Sequence, residues 1–80
     1  MTDKAQILKT IIENACEVLP HLEEHNFQPD DALKNLGANS IDRSEIVMMT
    51  LESLSLNIPL VEMAAAENIG ELSEIIYEKQ

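Results

Sequence analysis

Apolar residues recur at helical spacing near the amino terminus of the chain and predict a first helix over residues 5–19. They fall at Ile7, Leu8, Ile11, Ile12, Ala15, Val18 and Leu19. A one-sided stripe of this kind is typical of a helix that packs one face against a core. Thr2 or Asp3 can cap its start, and Pro20 makes its continuation unfavourable.

Residues 20–39 form a long connection. Its apolar anchors are Leu22, Phe27, Leu33 and Leu36. The order Pro-Asp-Asp-Ala-Leu over residues 29–33 predicts a short helical turn. His21 and His25 lie four residues apart, a spacing that would suit a metal ion on a helix. Because Pro20 disfavours a helix there and no third ligand is evident, we expect no metal site.

A second helix is predicted over residues 40–55. A short third helix over residues 60–67 and a last helix over residues 70–77 follow. The inward-facing residues of the last helix are predicted to be Ile69, Leu72, Ile75 and Ile76. No segment alternates apolar and polar residues over the length of a strand. The predicted class is all-α: a four-helix bundle of three main helices and one short helix, with a long loop between the first two.

The second helix is apolar on more than one side. Ile46, Thr50 and Leu54 recur every four residues and predict the face that packs on the core. A second row is formed by Ile41, Ser44, Met48 and Leu51. A bundle of this size cannot bury both rows fully. The second row either packs under the long loop or the short helix, or forms a partly exposed docking strip with a flexible methionine.

Composition narrows the class of function. The chain of 80 residues is enough for one small domain, residues 1–80. Fifteen acidic against five basic residues give a formal charge of −10, which argues against nucleic-acid binding because a phosphate backbone would be repelled. No apolar run approaches transmembrane length. Cys16 is the only cysteine, so no internal disulfide can form, and we expect its thiol to be packed in the helix. Together with the lack of a long apolar run, this predicts a complete, cytoplasmic chain without a membrane partner.

Ser40 lies at the start of the second helix, just after Gly37 and Asn39. By itself, Ser40 is a favourable N-cap residue. Gly37 allows unusual backbone torsions and Asn39 tolerates turns, so together they can hold Ser40 in solvent. The positive end of the helix also favours an attached anion such as a phosphodiester. A catalytic serine is disfavoured, because no G-x-S-x-G elbow surrounds Ser40 and no histidine follows His25.

These residues resemble the signature of the acyl carrier proteins. The family has a glycine three residues before a serine, usually Gly-x-Asp-Ser-Leu, at the start of its second helix. Residues 37–41 here read Gly-Ala-Asn-Ser-Ile. The similarity continues without a gap through Asp42, Glu45, Ile46, Val47 and Met48 to Leu54, Ile58 and Pro59. With the long first loop and the order of helices, the resemblance covers essentially the whole chain.

The resemblance implies that Ser40 receives a 4′-phosphopantetheine arm from coenzyme A, whose thiol carries an acyl group as a thioester. It implies a non-catalytic, monomeric carrier that a phosphopantetheinyl transferase modifies. The stretch over residues 37–46 is most similar to free-standing carriers of bacterial polyketide pathways. Within that group it resembles the donor carriers of β-branching cassettes, which present an acetyl-type unit to a 3-hydroxy-3-methylglutaryl (HMG) synthase-like enzyme. A ketosynthase or an acyltransferase is the other expected partner.

The chain departs from the family pattern in two places. Asn39 stands where the family usually has an aspartate before the serine. The surface after the serine, usually rich in carboxylates, includes Arg43, Ser44, Leu51, Leu60, Val61 and Met63. A more apolar contact surface should be more selective, because shape then matters more than long-range charge. The predicted partner-binding residues are Asn39, Ile41, Asp42, Arg43, Ser44, Glu45, Met48, Leu51, Leu60 and Val61.

Two other classes of function compete with the carrier. A small acidic binding or regulatory module would act through the strip over residues 41–51, with Ser40 serving only as a helix cap. A small hydrolase would need the elbow and the histidine that the sequence lacks. Covalent modification of Ser40 separates the carrier from both alternatives.

Overall fold

The computed structural model describes residues 2–80, which form three α-helices and three 3-10 helices. The α-helices are α1 (Lys4–Val18), α2 (Ser40–Ser53) and α3 (Ile69–Lys79). The 3-10 helices are Pro20–Glu24, Leu33–Leu36 and Leu60–Met63. No strand occurs within the described residues. The all-α class is therefore confirmed, with three α-helices rather than four in the bundle.

The predicted short helix over residues 60–67 is reduced to the four-residue 3-10 helix Leu60–Met63. Asn68 already caps α3, since its side chain accepts a hydrogen bond from the Glu71 N–H at 2.7 Å. Pro59 is extended and precedes the turn. The segment between these two residues has room for only about two turns, and so short an isolated α-helix is marginal.

The helix α1 packs against both α2 and α3. Its fully buried apolar side chains are Ile7, Ile11 and Ala15. These residues confirm the predicted stripe. Asp3 caps the helix by accepting a hydrogen bond from the Gln6 N–H at 2.8 Å. Cys16 is half-buried on this helix, and burial together with the Glu23 carboxylate raises the pKa of its thiol.

The long connection is held by buried side chains and by its own hydrogen bonds. Leu22 and Leu33 are buried, while Phe27 and Leu36 are half-buried. The turn predicted over residues 29–33 is confirmed only in its first part. Residues 29–30 form a turn closed by a hydrogen bond from the Asp31 N–H to the Gln28 carbonyl at 2.9 Å, and a 3-10 helix begins only at Leu33.

The Asp31 side chain stabilises that turn. Its carboxylate accepts a hydrogen bond from the Gln28 N–H at 2.7 Å and lies 3.0 Å from His25 Nε2. The Gln28 hydrogen bond and then the His25 contact hold the pKa of the Asp31 carboxyl below its ordinary value. His21 Nε2 instead lies 3.2 Å from the Leu36 carbonyl oxygen. Within residues 2–80, no group of three or more His, Cys, Asp or Glu residues could hold a metal ion.

The first turn of α3 rests on the long connection. The Ile69 N–H donates to the Asp31 carbonyl at 2.9 Å, and the Gly70 N–H donates to the Pro29 carbonyl at 2.7 Å. A Cβ atom at position 70 would lie only 2.8 Å from the Pro29 oxygen, so this approach requires glycine. These two hydrogen bonds join the long connection to the start of α3.

The helix α3 begins one residue before the predicted bound and ends at Lys79. Its buried apolar side chains are Ile69, Leu72 and Ile76. Ile75 is half-buried beside them. The inward face predicted for this helix is confirmed. In the part of the chain that the structure describes, no helix is long and apolar enough to cross a membrane.

Candidate functional site

The chain reaches α2 through a tight turn at Gly37. This residue has a φ of 101°, in the left-handed region that glycine enters without strain. The next N–H group, that of Ala38, donates to the Leu33 carbonyl at 3.1 Å and closes the preceding 3-10 helix. Ala38 itself is buried. The turn therefore fixes the start of α2 to the core while leaving Asn39 and Ser40 exposed.

The N-cap of α2 is Asn39, not Ser40 as the sequence suggested. Asn39 is extended and its side-chain oxygen accepts a hydrogen bond from the Asp42 N–H at 2.8 Å. The Asp42 carboxylate in turn accepts one from the Asn39 N–H at 3.2 Å, which completes a capping box. Because this pair satisfies the helix end, the Ser40 hydroxyl is not needed as a cap.

Ser40 occupies the first position inside the helix and is exposed. No hydrogen bond within residues 2–80 engages its hydroxyl. The α2 helix is 14 residues long and has a partial positive charge at its N-terminus. Because Ser40 is its first residue, this charge lies beside the serine oxygen. An exposed, unengaged hydroxyl at the positive end of a helix suits attachment of a phosphodiester.

One face of α2 leads from Ser40 into a groove of about 710 Å³. The residues of α2 that line it are Ser40, Arg43, Ser44 and Val47. Arg43 and Ser44 lie three and four residues after Ser40, and Val47 lies four and three residues after them, so all four share one side of the helix. The apolar residues on the opposite wall include Leu60, Met63 and Leu72. The groove thus runs from the serine between α2, the 3-10 helix Leu60–Met63 and α3.

An ion pair holds the outer wall of this groove. Lys79 Nζ at the end of α3 lies 2.6 Å from the Glu62 carboxylate in the 3-10 helix Leu60–Met63. The hydrogen bond and charge of Glu62 raise the pKa of Lys79. Met63 from the same turn is buried in the core. The short 3-10 helix is therefore fastened at two points.

A different face of α2 is exposed and partly apolar. Ile41 is 73% exposed and Met48 is 49% exposed. On the neighbouring 3-10 helix, Leu60 is 40% and Val61 is 78% exposed. Ser44 and Glu45 are exposed as well. We call Ile41, Glu45, Met48, Leu60 and Val61 the docking face; Leu60 belongs to both this face and the groove wall. Its apolar side chains were all predicted as part of the contact surface, whereas the predicted Leu51 and Met63 are buried.

Leu51 does not belong to that face: it is only 6% exposed and lies in the core. The reason is the way in which α2 ends. Ser55 takes a positive φ of 56°, the Leu56 N–H donates to the Leu51 carbonyl at 2.9 Å, and the Ser55 N–H donates to that of Glu52. This is a Schellman motif, in which the residues in the positions of Leu51 and Leu56 pack together.

The other predicted partner-binding residues serve the helix cap or line the groove. Asn39 is exposed beside Ser40, but its side-chain oxygen serves the cap. Asp42 is half-buried and serves the same capping box. Arg43 is half-buried and lines the groove. The groove residues Val47 and Leu72 were not predicted as site residues, although the spacing of Val47 from Ser40 could have indicated that it shares its face. Met63 was predicted for the exposed contact surface and is buried instead.

The small all-α fold, with an exposed serine at the start of α2, is consistent with a carrier of a covalently attached arm. The sequence matches the family described as "phosphopantetheine attachment site" over residues 9–76, and the chain belongs to that family. It is an acyl carrier protein and bears a covalently attached 4′-phosphopantetheine group. When bound, this group supplies a terminal thiol that carries acyl units as thioesters.

Two relatives define its neighbourhood. The chain is 53% identical over 77 residues to AcpK of Bacillus subtilis, a polyketide biosynthesis acyl-carrier protein, covering 96% of this chain and 94% of the relative. It also resembles a chain in the crystal structure of the curacin biosynthetic pathway HMG synthase in complex with the acetyl donor acyl carrier protein. That match has a TM-score of 0.90 and 48% identity, and it covers 94% of this chain and 96% of the other.

Proposed function

We propose that Ser40 is the attachment point of the arm, and that the loaded protein donates an acetyl unit to an HMG synthase-like enzyme in polyketide biosynthesis. The observation that carries this proposal is the exposed Ser40 hydroxyl at the first position of α2, free of internal hydrogen bonds and open to the groove. The alternative of a regulatory module with Ser40 as a cap loses its basis, because Asn39 already provides the cap.

In the attachment step, the Ser40 oxygen forms a bond to the phosphorus of the pantetheine phosphate. The bond from that phosphorus to the bridging oxygen of the diphosphate breaks, 3′-phosphoadenosine 5′-phosphate leaves, and the hydroxyl proton passes to a base on the transferase. The chain contributes an accessible oxygen and the positive helix end beside it. No histidine follows His25 in the sequence, so activation of the serine falls to the transferase.

The proposed donor role rests on the two relatives and on the docking face. The carrier that assembles with an HMG synthase is 48% identical over nearly the whole chain. The docking face offers exposed Ile41, Met48 and Val61 with Glu45 at its edge. Such a face fits an apolar depression on the enzyme with a basic residue near its rim. The surplus of acidic residues steers the carrier toward an enzyme entrance of positive charge.

Loading of the arm requires a separate enzyme, for which a ketosynthase-like or acyltransferase partner is the proposed source. We also propose that the carrier acts as a monomer in the cytoplasm. A carrier that visits a transferase, a loading enzyme and a synthase in turn needs its docking face free between visits. A permanent dimer through that face would block each visit.

Attachment is tested by intact-mass measurement after incubation with coenzyme A, magnesium and a broad-specificity phosphopantetheinyl transferase. The wild-type protein should gain the mass of one phosphopantetheine group, and Ser40→Ala should gain none. Ser44→Ala is the matched control, since Ser44 is an exposed serine one turn along the same helix. It should be modified fully. A gain of mass in Ser40→Ala contradicts the assignment.

The donor role is tested with the holo-protein carrying either an acetyl or a malonyl thioester. Each form is mixed with an HMG synthase-like enzyme from a β-branching pathway, and acetylation of the enzyme is followed by mass spectrometry. We expect transfer from the acetyl form and none from the malonyl form. Failure of the acetyl form, with a recognised donor carrier active in parallel, overturns the donor role but leaves the carrier assignment intact.

A further inference from the structure

Arg43 lies three residues after Ser40, on the side of α2 that lines the groove. Helical side chains lean toward the N-terminus, so the arginine extends back over the first turn. Its Nη1 donates a hydrogen bond to the Ala38 carbonyl at 2.9 Å. Since Ala38 is buried and two residues before the serine, this hydrogen bond holds the guanidinium beside the attachment position.

The charge of Arg43 has no carboxylate partner within the described residues, although acidic side chains greatly outnumber basic ones. Lys4 and Lys79 form ion pairs with Glu74 and Glu62. Lys9 and Lys34 also have no carboxylate partner among the described residues, but both are exposed to solvent, whereas Arg43 is half-buried. Arg43 instead donates to a neutral carbonyl, and its guanidinium has five N–H donors in all. A half-buried cation left without a carboxylate in so acidic a protein indicates that its anion comes from elsewhere.

The surroundings of Ser40 are consistent with an anion at this place. Lys34 lines the same groove, so two of the five basic residues of the chain line it together with Ser40. Asn39 contributes an uncharged amide where the family usually has a carboxylate. The nearest carboxylate in sequence, that of Asp42, accepts a hydrogen bond from the Asn39 N–H within the capping box. A phosphodiester on Ser40 would meet cationic donors on the groove side of the helix.

We propose that Arg43 is a positioning residue for the arm: its guanidinium binds the phosphodiester on Ser40 and directs the arm along the groove instead of across the docking face. The planar fork of arginine can engage two phosphate oxygens while the Ala38 carbonyl holds it in place. Lys34 supplies a second, more flexible charge. The inference rests on the proposed attachment at Ser40.

The consequence concerns the docking face. Ile41 and Met48 lie on a neighbouring side of α2, so an arm held by Arg43 leaves them uncovered for a partner enzyme. The arm is released when the partner supplies a stronger site for its phosphate. Arg43 thereby acts through the position of the arm and not through the chemistry of the thioester.

A modification cycle tests this role without measuring activity. Melting temperatures are measured for the apo and holo forms of wild type, Arg43→Gln and Lys9→Gln at low and high salt. Subtracting apo from holo removes any stability lost with the Ala38 hydrogen bond. Lys9→Gln is the matched control, because Lys9 is exposed on α1 and removes the same charge away from the groove. The holo-minus-apo difference should fall by about half in Arg43→Gln and stay unchanged in Lys9→Gln.

Phosphorus NMR of the holo-protein gives the second measurement. A phosphodiester held by Arg43 tumbles with the protein, so its transverse relaxation time should lengthen about twofold in Arg43→Gln. Arg43→Lys keeps the charge and should lie between the two. Equal holo-minus-apo differences and equal relaxation in all variants overturn the positioning role. Absence of any arm on wild-type Ser40 is a different result, which overturns the proposed attachment itself.

Discussion

The helices α1 and α2 have nearly the same length and pack against each other, yet they use their apolar residues differently. In α1 the buried apolar residues form one stripe that includes Ile7 and Ile11. In α2 the stripe through Ile46 is buried, while Ile41 and Met48 remain in solvent. A soluble helix gains nothing for its own folding from apolar side chains that stay exposed. The surplus on α2 therefore indicates a use outside the fold.

The position of the serine explains this division. Ser40, the proposed attachment point, lies at the start of α2, so the faces of this helix would lie closest to the arm. One face packs on the core, a second lines the groove and a third is free for a partner. The helix α1 has no such site and needs only its core stripe. This assignment of faces is tested by substitutions: it fails wherever a residue assigned to one face responds like a residue of another.

The largest expected effect is at Leu51, where the buried and exposed faces meet. Leu51→Glu places a charge in the core beside the Schellman motif and should abolish cooperative unfolding, a loss of more than about 3 kcal/mol. Met48→Glu, one turn earlier but half-exposed, should unfold cooperatively with nearly wild-type stability. Circular dichroism during urea unfolding measures both. If Leu51→Glu folds and unfolds cooperatively, Leu51 is not a core residue and belongs to the docking face.

Truncation of Ile46 should have the next largest effect. Ile46→Ala creates a cavity at a fully buried position and should lower the free energy of unfolding by roughly 2–4 kcal/mol. Ile41→Ala, the same truncation on the exposed face, should change it by less than about 0.5 kcal/mol. The measurement is the urea midpoint at constant slope. Equal losses for the two variants would show that α2 has no free face.

Charge reversal compares the exposed surfaces of α1 and α2. Glu45→Lys changes the edge of the docking face and should lower kcat/KM for acetyl transfer to the synthase by about threefold to tenfold. The effect should shrink as salt is added. Glu13→Lys makes the same change on the exposed side of α1 and should leave transfer unchanged. An equal loss for both would point to net charge alone, without a specific face.

The smallest expected effect is at the end of α2. Ser55 holds a positive φ that costs energy for any residue with a side chain. Ser55→Gly should raise the free energy of unfolding by roughly 0.5–1 kcal/mol without altering acetyl transfer. Thermal unfolding and the transfer assay check the two parts. Destabilisation would mean that the Schellman motif does not bury Leu51 as described.

The sequence predicted the three α-helices because their periodicity is strong and their ends are marked by Pro20, Pro59 and capping residues. It predicted Ser40 as the cap of α2 and missed Asn39, since both residue types cap well and only the backbone separates them. The burial of Leu51 was also missed. The burial of Leu51 depends on a left-handed residue just after α2. A glycine at position 55 would have indicated such a motif in the sequence, whereas Ser55 does not.

The site was predicted less completely than the fold. Ser40 and most of the exposed strip followed from the motif and from the excess of apolar residues on α2. The groove was not predicted, because one of its walls is formed by Leu60, Met63 and Leu72, which lie far from Ser40 in the sequence. The role of Arg43 depends on one hydrogen bond to Ala38, which spacing alone does not reveal.

The most direct test of the separate faces of α2 is Met48→Glu in the acetyl-loaded carrier, measured for both stability and transfer. The melting temperature should stay within about 3 °C of wild type. The value of kcat/KM for acetyl transfer to the HMG synthase-like enzyme should fall at least about tenfold, equivalent to 1.4 kcal/mol. Transfer at the wild-type rate, or a loss of transfer that accompanies unfolding, would contradict the assignment of this face to the partner.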